Sequence, residues 1–180
     1  MGEEDEFRAV YGAHHTAVYR YVRRRVAPGD AADVTAEVFT TVWRRFGDRP
    51  RSTVLPWLYG VARKTVANHL RARESALAAV RAGESVTVAT ARDVGEQVAA
   101  RDAVHRAWSG LSPADREVLA LIGWEGLPVR DAARALGCGT AVFSMRLLRA
   151  RKRLRMALDA LEADSSLPEA TDTRKVEVER

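Results

Sequence analysis

Cysteine is almost absent from this chain: there is one, Cys138, among 180 residues. A lone thiol makes no internal disulfide and supplies no Cys-x-x-Cys pair for zinc, so neither kind of staple organises the fold. Cys138 is expected to be a small buried or turn residue. No apolar run approaches the ~20 residues of a membrane span. The amino-terminal Met-Gly-Glu-Glu-Asp-Glu is acidic where a secretory signal is basic and then apolar. A cytoplasmic protein without membrane attachment is therefore expected. Catalytic signatures are missing as well: there is no Gly-x-x-x-x-Gly-Lys-Ser/Thr loop, no His-Glu-x-x-His and no carboxylate cluster beside the basic stretches. His14 and His15 sit on an apolar helical pattern, where packing at a core edge is the expectation, not metal binding. No enzymatic role, cofactor or metal is expected.

Acids are missing locally, and this is the first positive signal. From Arg49 to Arg73 there are six cations and no acid, and from Ala132 to Leu158 seven cations and no acid. The chain's net charge of +5 thus divides into +13 on these two stretches and −8 on the remainder. Two separated basic blocks on an otherwise acidic chain point to two surfaces for a polyanion, nucleic acid foremost. Solvated helix faces that happen to be basic are the plainer alternative. At 47% hydrophobic and 29% charged residues the chain is globular, as one domain or two small ones.

Hydrophobic spacing is helical in both halves of the chain. Phe7, Val10, Tyr11, Ala17, Val18, Tyr21 and Val22 outline a first helix over about 6–26, closed by Arg23, Arg24 and Arg25, whose charge suits a helix C-terminus. Ala27-Pro28-Gly29-Asp30 breaks it. Asp30 or Asp33 then caps a second helix that turns Val34, Val38, Thr41, Val42 and Phe46 inward and ends at Gly47. A loop from Asp48 to Leu55 leads to Pro56 in the first turn of a third helix, which runs to about Arg73. Residues 75–99 lack large aromatics and a sustained apolar stripe and read as a linker, partly helical; the Val-rich run from Glu84 to Thr90 resembles a strand but has nothing to pair with. A second domain starts near Arg101, with a helix carrying Val104, Ala107, Trp108 and Leu111. Ser112-Pro113-Ala114-Asp115 opens the next helix as a cap followed by a first-turn proline. The expected architecture is all-α: two small helical domains at 6–74 and 101–161, a flexible linker at 75–100, and an acidic, disordered tail at 162–180.

Two motifs carry chemistry. The helix from Val129, the turn Gly137-Cys138-Gly139 and the long helix from Thr140 have helix-turn-helix spacing, in which the second helix enters a major groove. On that helix Phe143, Leu147, Ala150 and Leu154 step by four, three and four and define the buried stripe. Ala141, Ser144, Met145, Leu148 and Arg149, then Arg151, Lys152, Arg153 and Arg155, face outward. Arginines bind phosphates and read guanine, whereas Ser and Met give weak or apolar base contacts. The first basic block interleaves aromatics with cations: Phe46, Arg49, Arg51, Trp57, Tyr59, Arg63, Lys64, His69 and Arg71. Rings beside cations suit unpaired bases, which stack for roughly 1–3 kcal/mol each. Trp57 and Leu58 are expected in the core, and Tyr59 is expected to be the exposed ring.

These residues resemble a known family. Asp30-Ala-Ala-Asp33-Val34-Thr-Ala-Glu37-Val38-Phe39 through Trp43, Pro56-Trp57-Leu58-Tyr59-Gly60-Val61-Ala62-Arg63 and Asn68-His69-Leu70-Arg71 are similar to region 2 of bacterial sigma factors of the extracytoplasmic-function (ECF) branch. Leu111 through Leu119, Trp124-Glu125-Gly126-Leu127, Leu136-Gly137-Cys138 and Arg146-Leu147 with Arg149-Ala150-Arg151 resemble its region 4. The likeness spans about Phe7 to Ala160 in the family's order. It implies a promoter-specificity subunit of core RNA polymerase. The second helix would hold the clamp helices through Asp33, Glu37, Phe39 and Trp43. The minus-10 element, melted to single strands, would fall to Arg49, Arg51, Trp57, Tyr59, Arg63, Lys64, Asn68 and Arg71. Duplex at the minus-35 element would be bound by Thr140, Ser144, Met145, Arg146, Leu148, Arg149, Arg151 and Lys152, with region 4 also touching the polymerase flap. An anti-sigma protein is a further partner of many family members.

The chain departs from the family pattern at three places. Ala36 stands where a glutamine is usual before the glutamate of the second helix, Ser144-Met145 where Lys or Arg precedes Ser, and Leu148 at a commonly polar or aromatic position. A minus-35 contact leaning on Arg146, Arg149 and phosphate binding is expected. The competing function is a stand-alone helix-turn-helix repressor or activator of duplex DNA, which leaves the acidic second helix and the first basic block without a role.

Overall fold

The computed structural model describes residues 2–81 and 104–165. Among these there is no strand, and no helix is long and apolar enough to cross a membrane.

Helix α1 (Glu3–Arg23) has four acids in its first turn and Arg20 and Arg23 in its last, the arrangement that opposes the macrodipole at both ends. Its inner face buries Val18, Tyr21 and Val22. Pro28 fixes a single 3-10 turn, Pro28–Asp30, before α2 (Ala31–Arg44) buries Val34, Val38, Phe39 and Val42. The buried hydroxyl of Thr35 is satisfied by donating to the Ala31 carbonyl at 2.6 Å. α2 ends three residues before the expected Gly47, because Phe46–Asp48 tightens into a second 3-10 turn that drives Phe46 into the core. Asp30 precedes α2 but makes no side-chain cap. Its carboxylate instead receives His69 Nε2 at 3.1 Å and Arg73 Nη1 at 2.5 Å, clasping the start of α2 to α3.

α3 (Val54–Arg81) carries Pro56 in its first turn, where no intrahelical N–H is needed, and buries Leu58, Tyr59, Val61, Ala62 and Val66. It continues past the expected Arg73 and takes in the opening of the stretch read as linker. The Glu84–Thr90 run and the tail beyond 165 lie outside the described residues.

The second half begins with α4 (104–109), followed by α5 (Pro113–Gly123), α6 (Val129–Leu136) and α7 (Thr140–Ser165). Ser112 caps α5 by accepting the Asp115 N–H at 3.1 Å. α6 stops at Gly137, whose φ of +66° is the left-handed conformation that favours glycine. The Gly137 and Cys138 amides then close back on the Arg134 and Ala133 carbonyls at 3.0 Å each, the double closure typical of such helix ends. This tight turn sets the angle between α6 and α7, and Phe143 at the start of α7 is wholly buried.

The two halves share one hydrophobic core, in which α1–α3 meet α5–α7. Gly60 of α3 lies so near α6 that a Cβ there would stand 3.2 Å from the Ala135 carbonyl oxygen. The pair of domains is thus closed upon itself, a packing that no feature of the sequence anticipates.

Candidate nucleic-acid interface

The helix-turn-helix unit is built as its spacing predicts. Phe143, Leu147 and Ala150 are buried and Leu154 half-buried, while Thr140, Ala141, Ser144, Met145, Arg146, Leu148, Arg149, Arg151 and Lys152 are exposed. Ion pairing then sorts the cations. Arg153 is taken out of the basic face: its Nη1 lies 2.9 and 2.8 Å from the two carboxylate oxygens of Asp115. Asp115 also accepts the Ser112 hydroxyl at 2.8 Å, so one buried acid ties the start of α5 to the middle of α7. Arg134 pairs with Asp131 on its own helix. Arg146, Arg149, Arg151, Lys152 and Arg155 form no ion pair among the described residues and stay available to phosphates.

The first basic block divides in the same way. Arg49 pairs with Glu6 and sits 3.9 Å over the Phe46 ring, and Arg73 is held by Asp30. Both are structural clasps. Arg51, Lys64, Asn68 and Arg71 are exposed, Arg71 donating to Asn68 Oδ1 at 2.5 Å. Trp57 is half-buried against the core and Leu58 fully buried. Tyr59 reverses the expectation of exposure: it is 3% exposed, because the second domain covers it.

The covering contact is polar as well as apolar. Tyr21 donates its hydroxyl to Glu117 Oε1 at 2.6 Å, Arg25 Nε donates to Glu117 Oε2 at 3.0 Å, and Arg25 Nη1 reaches Glu125 Oε1 at 3.4 Å. Arg24 lies 3.6 Å from Glu125 Oε2, and Tyr59 donates to the same oxygen at 3.5 Å. Burial, reinforced by Glu117, pushes the Tyr21 hydroxyl far above its ordinary pKa; burial first and Glu125 second push Tyr59 up to about 12. Both remain neutral donors at ordinary pH. The sequence gives no hint of this cluster, since Arg24 and Arg25 satisfy a helix C-terminus without any distant partner. Beside it lies a cleft of about 800 Å³ between the domains, lined among others by Arg25, Arg63, Arg146, Arg149, Trp108 and Trp124. Arg63 Nε and Arg25 Nη2 are buried there with no hydrogen-bond partner among the described residues.

The first domain also carries an aromatic cluster formed by α1 and α2. Tyr11 packs on Phe39 at 4.6 Å between ring centroids, His15 stacks on Phe39 at 5.7 Å, and Phe7 meets Trp43 edge-on at 5.0 Å. His15 is thus a core-edge ring. Asp33 and Glu37 are exposed on α2 and Trp43 is 42% exposed, whereas Phe39 is buried and can only support that surface.

Family profiles match both halves: Sigma-70 region 2 over residues 10–76 and Sigma-70 region 4 over residues 101–154. The chain is 31% identical over 147 residues to the ECF RNA polymerase sigma factor BldN of Streptomyces coelicolor, a match covering 76% of this chain and 54% of that one. It therefore spans about half the length of that relative. To the RNA polymerase sigma-H factor of Pseudomonas aeruginosa it is 31% identical over 144 residues, covering 73% of this chain and 75% of the other. Among solved structures, the sigma factor RpoE from Bartonella quintana, in complex with the anti-sigma factor NepR, superposes with a TM-score of 0.63. At 23% identity, over 86% of this chain and 97% of that one, this likeness speaks to the fold alone.

Proposed function

Because this chain belongs to the ECF branch of the sigma-70 family, we propose that it binds core RNA polymerase, brings it to particular promoters and helps to melt them. The observation that carries this reading is the recognition helix α7. Its inner stripe is buried while Arg146, Arg149, Arg151 and Lys152 stand on an exposed, acid-free face beside a tight glycine turn. The work is recognition and strand separation without catalysis, carried out in the cytoplasm where polymerase and DNA are.

Minus-35 duplex falls to Thr140, Ser144, Met145, Arg146, Leu148, Arg149, Arg151 and Lys152. The minus-10 strand falls to Arg51, Trp57, Tyr59, Arg63, Lys64, Asn68 and Arg71, and core polymerase to Asp33, Glu37 and Trp43, supported by Phe39. Arg49 acts at the edge of this set, since Glu6 already holds it. With Tyr59 covered by the second domain, base stacking on it requires the domains to part. Polymerase, which offers clamp and flap as separate docking points, is the natural agent of that opening. The anti-sigma partner of the Bartonella protein makes a similar partner reasonable here, as a means of keeping the domains from reaching polymerase. A stand-alone duplex-binding regulator is not favoured, since region 2 would then serve nothing. Purified chain added to core polymerase should form a complex and yield run-off transcripts from some members of a promoter library; failure to bind core overturns the proposal.

A further inference from the structure

The outward face of α7 carries a feature its charge does not explain. Ala141, Met145 and Leu148 recur at steps of four and three, so on a 3.6-residue helix they fall in one line. That line lies opposite the buried Phe143, Leu147 and Ala150. Met145 is 50% and Leu148 63% exposed, and Val142 beside them is 47% exposed. An apolar strip along the water side of a helix has no value to the folded chain, and its first two turns are the part that a helix-turn-helix sends into the groove.

The surroundings of the strip identify what covers it. Arg149, Arg151, Lys152 and Arg155 follow within two turns and form no ion pair among the described residues, and no acid occurs between Thr140 and Leu158. A polyanion is the complement of such a rim, whereas an apolar protein surface is not. Within a major groove the base edges offer hydrogen-bond donors and acceptors at every pair, but one apolar group only, the C5-methyl of thymine. The strip has no Asn or Gln for adenine, and no Arg or Lys stands on its line before Lys152; Arg149 and Lys152, one turn beyond Met145 and Leu148, border it at its C-terminal end.

We propose that Met145 and Leu148 are specificity residues that read thymine methyl groups in the minus-35 element, with the small Ala141 permitting close approach of the helix. This deepens the promoter-binding function above and rests on it. The element selected should contain thymines at fixed positions under the first two turns of α7, flanked by phosphates held by Arg149 and Lys152.

The test uses the full chain with core polymerase. Promoters are selected from a randomised minus-35 library, and thymine is then replaced by deoxyuridine one position at a time, which deletes the methyl and keeps every hydrogen-bonding group. Binding should weaken about fourfold per methyl lost, the value of one buried methylene-sized group. Leu148→Ala, at an exposed site that leaves folding intact, should bind thymine and deoxyuridine promoters equally at one of these positions, and Met145→Ala at another. A selected element without fixed thymines, or equal binding of thymine and deoxyuridine promoters by the wild type while Arg149→Ala still weakens both, overturns the inference and leaves promoter binding standing. Absence of binding to any promoter overturns the function beneath it and the inference together.

Discussion

Tyr21 and Tyr59 lie 5.1 Å apart between ring centroids, and each donates its hydroxyl to a glutamate of the opposite domain. Glu125 has only 3% of its side chain exposed and is met by Arg24, Arg25 and Tyr59, so a buried anion is balanced across the domain boundary. Removing one member of such a cluster costs more than the pair contributes, because the partner stays buried and uncompensated.

Arg25→Glu should therefore loosen the closed arrangement by roughly 3–5 kcal/mol. Small-angle scattering of the free protein should show a larger radius of gyration. Combining Arg25→Glu with Glu117→Arg should restore the compact form in part. An unchanged radius for the single variant would show that apolar packing alone, including the approach of Gly60 to Ala135, keeps the domains together.

The tyrosines predict a pH response. A group whose pKa is raised on folding contributes stability that is complete below its unfolded value near 10 and vanishes as pH rises through the folded value. For Tyr59, raised to about 12, the loss falls between pH 10 and 12 and amounts to about 2–3 kcal/mol. Thermal melts at pH 9 and 11 should show a larger drop for the wild type than for Tyr59→Phe, which has no hydroxyl to ionise.

Asp115 serves the α5 cap and holds Arg153 with both oxygens. Asp115→Ala should destabilise the second domain by about 1–3 kcal/mol, from the lost charged hydrogen bonds. Arg153→Ala should cost less, since Asp115 keeps the Ser112 hydroxyl. Chemical denaturation of both variants checks the order.

Arg149→Ala in the holoenzyme should weaken promoter binding across sequences and lower the slope of log affinity against log salt by about 0.9, one phosphate contact. Tyr59→Ala should leave duplex binding at the minus-35 element unchanged and slow strand opening, read by permanganate reactivity of the minus-10 thymines. The reverse pattern would show that the two domains exchange roles.

Much of this was legible in the sequence because it is local. The stripe Phe143, Leu147, Ala150 follows from a 3.6-residue period, and the left-handed Gly137 marks the turn before it. Ser112 announces a cap. The parts that were not legible depend on residues far apart in the chain. Nothing near Arg153 indicates that Asp115 withdraws it from the basic face, and nothing near Asp30 indicates that His69 and Arg73 claim the carboxylate expected to cap α2. Tyr59 looked exposed because its own helix offers it no cover; the cover comes from Glu125, sixty-six residues on.

Promoter choice by core RNA polymerase is the function proposed for this chain. Run-off transcription from a randomised promoter library, with core polymerase alone and with the chain added, decides it. Transcripts that require the chain, start downstream of a common pair of elements and fade with Arg149→Ala are the predicted result. Unchanged transcription with and without the chain, alongside tight sequence-specific binding of duplex by the free protein, would contradict it.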